Sequence, residues 1–126
     1  MTTYLTPLTC ATATGAAGAA VTLTISATGA GTYLYIKRIE ILRSGGSTDE
    51  TGNAALVITT TNLPGSLAWT VGNGLTAGAT QADVICNFNG DYALKSSTAN
   101  TNTTIVCPDP GTYPIWRINV YYFVGT

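Results

Sequence analysis

The alternation of residues 115–124, which read IWRINVYYFV, constrains the fold of this chain more than any other stretch. One set of alternate positions is wholly apolar or aromatic and consists of Trp116, Ile118, Val120, Tyr122 and Val124. The other set is mixed, because Arg117 and Asn119 separate its apolar ends. A period of two is that of a β-strand. The pattern therefore predicts a strand with one face in the core and the other partly covered, as in an inner strand or at a subunit contact.

Shorter segments with the same alternation recur along the chain, separated by turns rich in Gly, Pro and Asn. They predict strands at 21–25, 33–43, 54–61, 67–71, 82–88 and 103–107. The dipeptide Asn89–Gly90 is typical of a two-residue hairpin turn, which would return the chain through residues 91–95. Strands without intervening helical patterns indicate an all-β fold. We therefore expect one domain at 19–126, an antiparallel β-sandwich with a jelly-roll-like arrangement of about eight strands.

The predicted strand at 33–43 changes the phase of its alternation in the middle. Leu34 and Ile36 share one face, whereas Ile39 and Ile41 fall on the opposite one. An extra residue inserted into a strand shifts the alternation in this way. The pattern predicts a β-bulge near Lys37–Arg38, or a bend that takes the chain from one sheet to the next.

The first 18 residues are rich in Thr, Ala and Gly and lack a helical stripe of large apolar side chains. Such a composition builds little core of its own. We interpret residues 1–18 as an extended N-terminal arm. The residues alone leave two alternatives open: a neighbouring subunit orders the arm, or the arm is a floppy terminus.

Charged residues make up only 9% of the chain, and the net charge is −1. So small a charge creates no field that would draw in a nucleic acid, and we expect no nucleic-acid partner. No apolar run approaches a membrane span, and the amino terminus lacks the basic region of an export signal. We therefore expect no membrane partner, and we expect that the chain is synthesised in a cytoplasm.

One surface ion pair is expected, between Glu40 and either Arg38 or Arg43.

Residues that could carry catalysis are few and dispersed. The chain contains no His, so a Ser or Cys nucleophile would lack its usual base. Asp49 and Glu50 are adjacent in the polar loop 44–53, where we interpret them as solvated charges rather than a catalytic pair. The polar residues at 87–91 have the spacing of a calcium loop, but a hairpin turn explains them better. We expect no enzymatic activity, no cofactor and no metal.

The three cysteines are Cys10, Cys86 and Cys107, an odd number without a C-x-x-C pair. This pattern does not supply the ligands of a zinc site. We interpret the cysteines as small buried thiols. A Cys86–Cys107 disulfide could form if the two strands pair and the protein meets an oxidising medium.

Six aromatic residues could together form a platform on which sugars stack. They are Tyr33, Tyr35, Trp69, Trp116, Tyr121 and Tyr122. Large rings in a small domain mostly fill the core or a subunit contact, where they bury the greatest area. We favour core or subunit contact and keep carbohydrate binding as the alternative.

Five blocks of the sequence are similar to small virion proteins of tailed bacteriophages. They are AAGAAVTLTI at 16–25, YIKRIEILRS at 35–44, TTTNLPGSLAWT at 59–70, LKSSTANTNTTIVCP at 94–108 and WRINVYY at 116–122. The resemblance implies a capsid decoration (cement) protein, which is a compact β-domain, often a homotrimer. Such a protein binds the outer surface of the major capsid protein and stabilises the shell. The implied location is the virion surface, after synthesis in the host cytoplasm.

The mixed face of the last strand is where we expect subunits to meet in such a homotrimer. It offers Ile115, Tyr121 and Phe123, and we add Tyr33 and Tyr35 to this predicted interface. The alternative function is a receptor- or glycan-binding head of a phage fibre or spike. That alternative predicts exposed, co-planar rings away from any symmetry axis.

Overall fold

The computed structural model describes residues 7–52 and 54–126 and consists of two antiparallel sheets packed face to face. Within these residues the strands are β1 (Thr9–Thr14), β2 (Val21–Ile25), β3 (Tyr33–Ser44), β4 (Leu56–Thr61), β5 (Ala68–Val71), β6 (Thr80–Asn87), β7 (Leu94–Lys95), β8 (Thr103–Cys107) and β9 (Ile115–Gly125). A short 3-10 turn at Pro64–Ser66 joins β4 to β5. The predicted all-β antiparallel sandwich is confirmed.

The five-stranded sheet has the order β1-β9-β3-β6, with β7 also pairing with β3, and the four-stranded sheet has the order β2-β8-β4-β5. The two longest strands, β3 and β9, pair along their whole length at the centre of the larger sheet. Trp116, Ile118 and Val120 of β9 are fully buried between the sheets, as the alternation predicts. Tyr122 packs against the core only partly. The prediction is wrong for Val124, which is 45% exposed because it lies at the end of the strand, at the rim of the core.

The predicted β-bulge in β3 is confirmed. Ile36 lies opposite Tyr122 of β9, and Arg38 lies opposite the next residue, Tyr121, so Lys37 is an extra residue. The bulge turns Leu34, Ile36, Ile39 and Ile41 towards the same core, where each is at most 2% exposed. The strand stays in one sheet throughout, so the alternative of a bend between sheets is wrong.

The predicted hairpin at Asn89–Gly90 is wrong. Both β6 and β7 pair with β3, one after the other along the same edge, and residues 89–93 leave the sheet between them. Lys37 holds this excursion by donating hydrogen bonds to the main-chain carbonyls of Gly90 and Tyr92. Because β3 extends beyond the end of β6, it offers unpaired backbone groups to which the chain returns.

Residues 7–18, the described part of the predicted arm, contain β1. This strand pairs antiparallel with β9, and its Ala11 and Ala13 pack against the core. The main-chain N–H of Gly18 donates to the carbonyl of Pro114 (2.9 Å), which holds the following turn. Residues 1–6 lie outside the described residues. Contact between the arm and a partner stays a prediction.

The polar loop after β3 is tied down by its two acidic residues. The main-chain N–H of Ala77 donates to Asp49 (2.7 Å), and that of Thr112 donates to Glu50 (2.8 Å). The Glu50 carboxylate occupies the space that a side chain at Gly111 (φ +108°) would need. Both acids therefore join loops together. The interpretation of Asp49 and Glu50 as solvated charges is incomplete, because each also accepts a hydrogen bond from another loop.

A buried ion pair joins β3 to β6, and the sequence pattern does not reveal it. Arg43 and Asp83 have fully buried side chains. Nε of Arg43 donates to Oδ2 of Asp83 (2.6 Å) and Nη2 donates to Oδ1 (3.0 Å). The same guanidinium donates to the carbonyls of Gly72 (2.6 Å) and Asn73 (2.9 Å). Of the two expected partners of Glu40, it is Arg38 that pairs with it (3.2 Å).

The three cysteines are free thiols with very different surroundings. Cys10 is exposed, Cys86 is half-buried and Cys107 is fully buried. The strands of Cys86 and Cys107 belong to different sheets and do not pair, so the condition for a disulfide is not met. Burial raises the pKa of Cys107 to about 12, with Asp83 adding to the rise and Arg43 opposing it. The interpretation as buried thiols is therefore wrong for Cys10.

We expect thiol reagents to label these cysteines in the order of their exposure. Only a thiolate reacts, so Cys107 should stay unlabelled until the protein unfolds, whereas the exposed Cys10 should react fastest. Iodoacetamide labelling followed by peptide mass spectrometry, with and without denaturant, measures all three. The Cys10→Ser variant should lose the fast phase alone. Rapid labelling of Cys107 in the native protein would contradict the structure.

Candidate binding faces

The outward side of the five-stranded sheet brings together residues from β1, β3, β6, β7 and β9. Directly opposed residues in antiparallel strands point to the same side, so the pairing registers define rows across the sheet. From one end to the other the rows are Ile115–Ser44–Thr80, Thr14–Arg117–Leu42–Ala82, Thr12–Asn119–Glu40–Ile85, Cys10–Tyr121–Arg38–Asn87, Phe123–Tyr35–Lys95 and Gly125–Tyr33. The character of this surface changes from a groove at the first rows to an aromatic cluster at the last.

The aromatic patch, which we define as Tyr33, Tyr35, Tyr121 and Phe123, occupies the last three rows. The rings of Tyr35 and Phe123 stack in parallel with their centroids 5.0 Å apart. The Tyr35 hydroxyl donates to the main-chain carbonyl of Thr126 (2.8 Å). All four aromatic side chains are partly exposed, so they leave apolar area that a partner could cover.

Lys95 adds a charge to one end of the aromatic patch. Its ammonium group lies 3.9 Å from the ring centroid of Tyr33 and 5.7 Å from that of Tyr35. A cation over an aromatic face is attracted by the ring quadrupole, which holds the side chain against the patch. The patch is therefore apolar and pre-organised but carries a positive charge at its edge.

A polar band lies beside the patch. Arg38 donates to Glu40 (3.2 Å) and to Asn87 (2.5 Å), which joins β3 to β6 across the surface. Tyr121 borders this band, and the charges of ionised Cys10 and of Glu40 raise the pKa of its phenol. A tyrosine phenol is protonated at neutral pH, and its hydroxyl can form a hydrogen bond with a partner.

The opposite end of the same surface is a groove of about 800 Å³. It is lined by Thr14, Gly15, Leu42, Ser44, Thr80, Gln81, Ala82, Ile115 and Arg117. Of the described residues in this lining, Arg117 alone is charged. Gln81 is held in place because its amide donates to Asp83 (2.6 Å) of the buried ion pair.

The structure brings four of the five predicted interface residues together and separates the fifth. Tyr33, Tyr35, Tyr121 and Phe123 form the aromatic patch, whereas Ile115 lies in the groove. Ile115 and Tyr121 are six residue steps apart along extended β9, a distance of about 20 Å. The alternation predicts which residues of β9 point outward. It does not predict Lys95, Arg38 or the groove, because these depend on the register of distant strands.

The outward side of the four-stranded sheet differs from that of the larger sheet because its strands contain no charged residue. Six of its side chains are threonines: Thr22, Thr24, Thr59, Thr61, Thr70 and Thr104. Thr61 and Thr104 share a hydrogen bond of 2.7 Å across adjacent strands. We call this surface the hydroxyl face. It can be covered by a partner without the cost of stripping water from a charge.

The six aromatic residues considered as a sugar platform lie in different places. Trp116 is fully buried, and its indole N–H donates to the carbonyl of Pro108 (2.8 Å). Trp69 and Tyr122 pack against the core, whereas the remaining three tyrosines lie on the outward side of the larger sheet. The six therefore do not form one platform.

Two general features complete the description of residues 7–52 and 54–126. None of their helical segments has the length and hydropathy needed to cross a membrane. They also contain no group of three or more His, Cys, Asp or Glu residues arranged to hold a metal ion.

Comparison of the chain with protein-family models, with curated proteins and with solved structures found no match.

Proposed function

We propose that this chain is a structural binding protein, a decoration (cement) protein that sits on the outer surface of a bacteriophage capsid and stabilises the shell. The observation that carries the proposal is the aromatic patch, in which Tyr33, Tyr35, Tyr121 and Phe123 converge on one end of a rigid sheet. Partly exposed aromatic clusters are the usual anchors of protein–protein contacts. The partners are a second and third copy of the chain and the major capsid protein.

The two outward surfaces suit two different contacts. The aromatic patch suits a contact between copies, because apolar rings bury the greatest area when covered permanently. The hydroxyl face suits the shell, since threonines form hydrogen bonds without the desolvation cost of charges. A homotrimer would hold three hydroxyl faces at once, and multivalent attachment makes weak individual contacts strong in sum.

Association between copies should be sensitive to substitution in the aromatic patch. Phe123→Ser removes a ring that stacks on Tyr35, and loss of such an anchor costs about 2 kcal/mol, or about 30-fold in the association constant. Light scattering after size-exclusion chromatography should give a trimer for the natural chain and a smaller species for the variant. Val124→Ser is a matched control, because the neighbouring side chain is also exposed but points to the other side of the sheet.

Binding to the shell needs a second measurement. Shells assembled from the co-encoded major capsid protein, without this chain, should bind it on co-sedimentation and resist heat better afterwards. A natural chain that remains monomeric at every concentration, or that does not sediment with shells, would contradict the proposal. The alternative, a glycan-binding head, predicts binding on a glycan array that substitution of Tyr33 or Tyr35 abolishes.

A further inference from the structure

The guanidinium of Arg117 differs from the other four cationic side chains. Each of those four side chains has a partner. Lys37 donates to two main-chain carbonyls, and Lys95 lies over the ring of Tyr33. Arg38 and Arg43 form ion pairs with Glu40 and Asp83. Within residues 7–52 and 54–126, Arg117 makes no ion pair, and its cross-strand neighbours are Thr14 and Leu42. An exposed, unpaired arginine is usually just solvated. This one, however, lies in the lining of the groove.

The groove has the dimensions and chemistry of a site for an extended peptide. Its central row, Thr14–Arg117–Leu42–Ala82, crosses four adjacent strands. Three gaps between strands span about 14 Å, the length of about four extended residues. Leu42 and Ala82 provide an apolar floor, and the hydroxyls of Thr14 and Thr80 can pair with peptide main-chain groups.

Charge complementarity determines which peptide fits. Among the residues that the structure describes, no acidic residue lines the groove, and the sole charge in its lining is positive. A guanidinium forms bidentate hydrogen bonds with a carboxylate, and these are stronger than bonds between neutral groups. A neutral or basic side chain would leave Arg117 partly desolvated without a partner.

We infer that the groove is a docking site for a short extended segment of a partner protein that places a Glu or Asp side chain against Arg117. The inference rests on the proposed function and deepens it, because the segment would be an extended arm of the major capsid protein that reaches the side of the sandwich opposite the hydroxyl face. The small residues in the lining leave room for a peptide backbone to lie close to the sheet.

The test uses isotope-labelled full-length chain and two blocked tetrapeptides, Ala-Ala-Glu-Ala and Ala-Ala-Gln-Ala, with binding followed by the NMR shifts of backbone amides. At about 10 mM peptide, a complex with a dissociation constant of 1 mM would be nearly saturated. The Glu peptide should shift the amides of Thr14, Leu42, Gln81 and Ile115. The Gln peptide should bind about tenfold more weakly, a difference of about 1.4 kcal/mol.

Two variants complete the experiment. Arg117→Ala should weaken binding of the Glu peptide about tenfold and remove the preference for Glu over Gln. Lys37→Ala is the matched control, because it removes one positive charge at the bulge of β3, away from the groove, and it should leave peptide binding unchanged. Equal binding of both peptides, shifts confined to other surfaces, no binding, or an unaffected Arg117→Ala variant would overturn the inference. None of these results would bear on trimer formation or shell binding, which are measured separately.

Discussion

Deletion of Lys37 should prevent the chain from reaching its native fold, whereas Lys37→Ala should leave the fold intact. Lys37 is the extra residue of β3, and it keeps Leu34 and Ile36 facing the same core as Ile39 and Ile41. Successive side chains of a strand point to opposite sides. Without the extra residue, one of the two pairs must therefore turn outward.

The expected cost of that reversal is comparable to the stability of a whole domain. Exposing Leu34 and Ile36 forfeits about 1.5–3 kcal/mol for each side chain. Tyr33 and Tyr35 would turn towards the core, and an unpartnered buried hydroxyl costs about 1–3 kcal/mol. Domains of this size are stable by about 5–15 kcal/mol in total, so little would remain.

Circular dichroism and urea unfolding measure the effect of the deletion. Lys37→Ala loses only the side-chain bonds to the carbonyls of Gly90 and Tyr92, at a cost of about 1 kcal/mol. Deletion of Ser47, an exposed residue of the loop after β3, is a second control that shortens the chain without changing a strand register. Cooperative unfolding of the Lys37 deletion at the natural midpoint would contradict the role of the bulge.

Local alternation predicted most of the fold because the strands of this chain carry large apolar residues on one side. The change of phase around Lys37 was visible for the same reason, since Leu and Ile occupy both halves of β3. The course of the chain after β6 was not predictable in this way. Asn89–Gly90 indicates a local reversal, but the return of the chain to β3 depends on free backbone groups of a strand far away in the sequence.

The candidate binding surfaces were predictable only in part. The alternation of β9 identifies Tyr121 and Phe123 as outward residues, but the position of Lys95 over Tyr33 follows from the pairing of β7 with β3. The groove likewise depends on the register of four strands. A sequence shows which residues share a side of one strand, whereas neighbours across strands require the long-range pairing.

The buried ion pair was missed because its two residues are placed inward by different features. Arg43 has the same phase as Ile39 and Ile41, so the alternation itself points it to the core. Asp83 points inward because it is the extra residue at a shift of register in β6, where Ile41 faces Val84 and Leu42 faces Ala82. No local pattern in the sequence points Asp83 inward. Without a known acidic partner, burial of the charged Arg43 side chain is unfavourable.

Arg43→Met should be strongly destabilising. It leaves the Asp83 carboxylate buried without a counter-charge, and it removes the donors to the carbonyls of Gly72 and Asn73. Removal of one partner of a buried ion pair costs about 3–5 kcal/mol. The guanidinium also lies 5.2 Å from the ring centroid of Trp116, so the variant loses that cation–π contact as well.

Urea unfolding of Arg43→Met, Asp83→Leu and the double variant separates the charge effect from the loss of packing. The double variant should be more stable than Arg43→Met, because no unpaired charge remains buried. It should still be less stable than the natural chain, since the two loop carbonyls keep no donor from β3. Arg38→Met is the matched control: it breaks the partly exposed pair with Glu40 and should cost about 0–1 kcal/mol. Equal effects of the substitutions at Arg38 and Arg43 would show that the buried pair does not hold β3, β6 and the loop before β6 together.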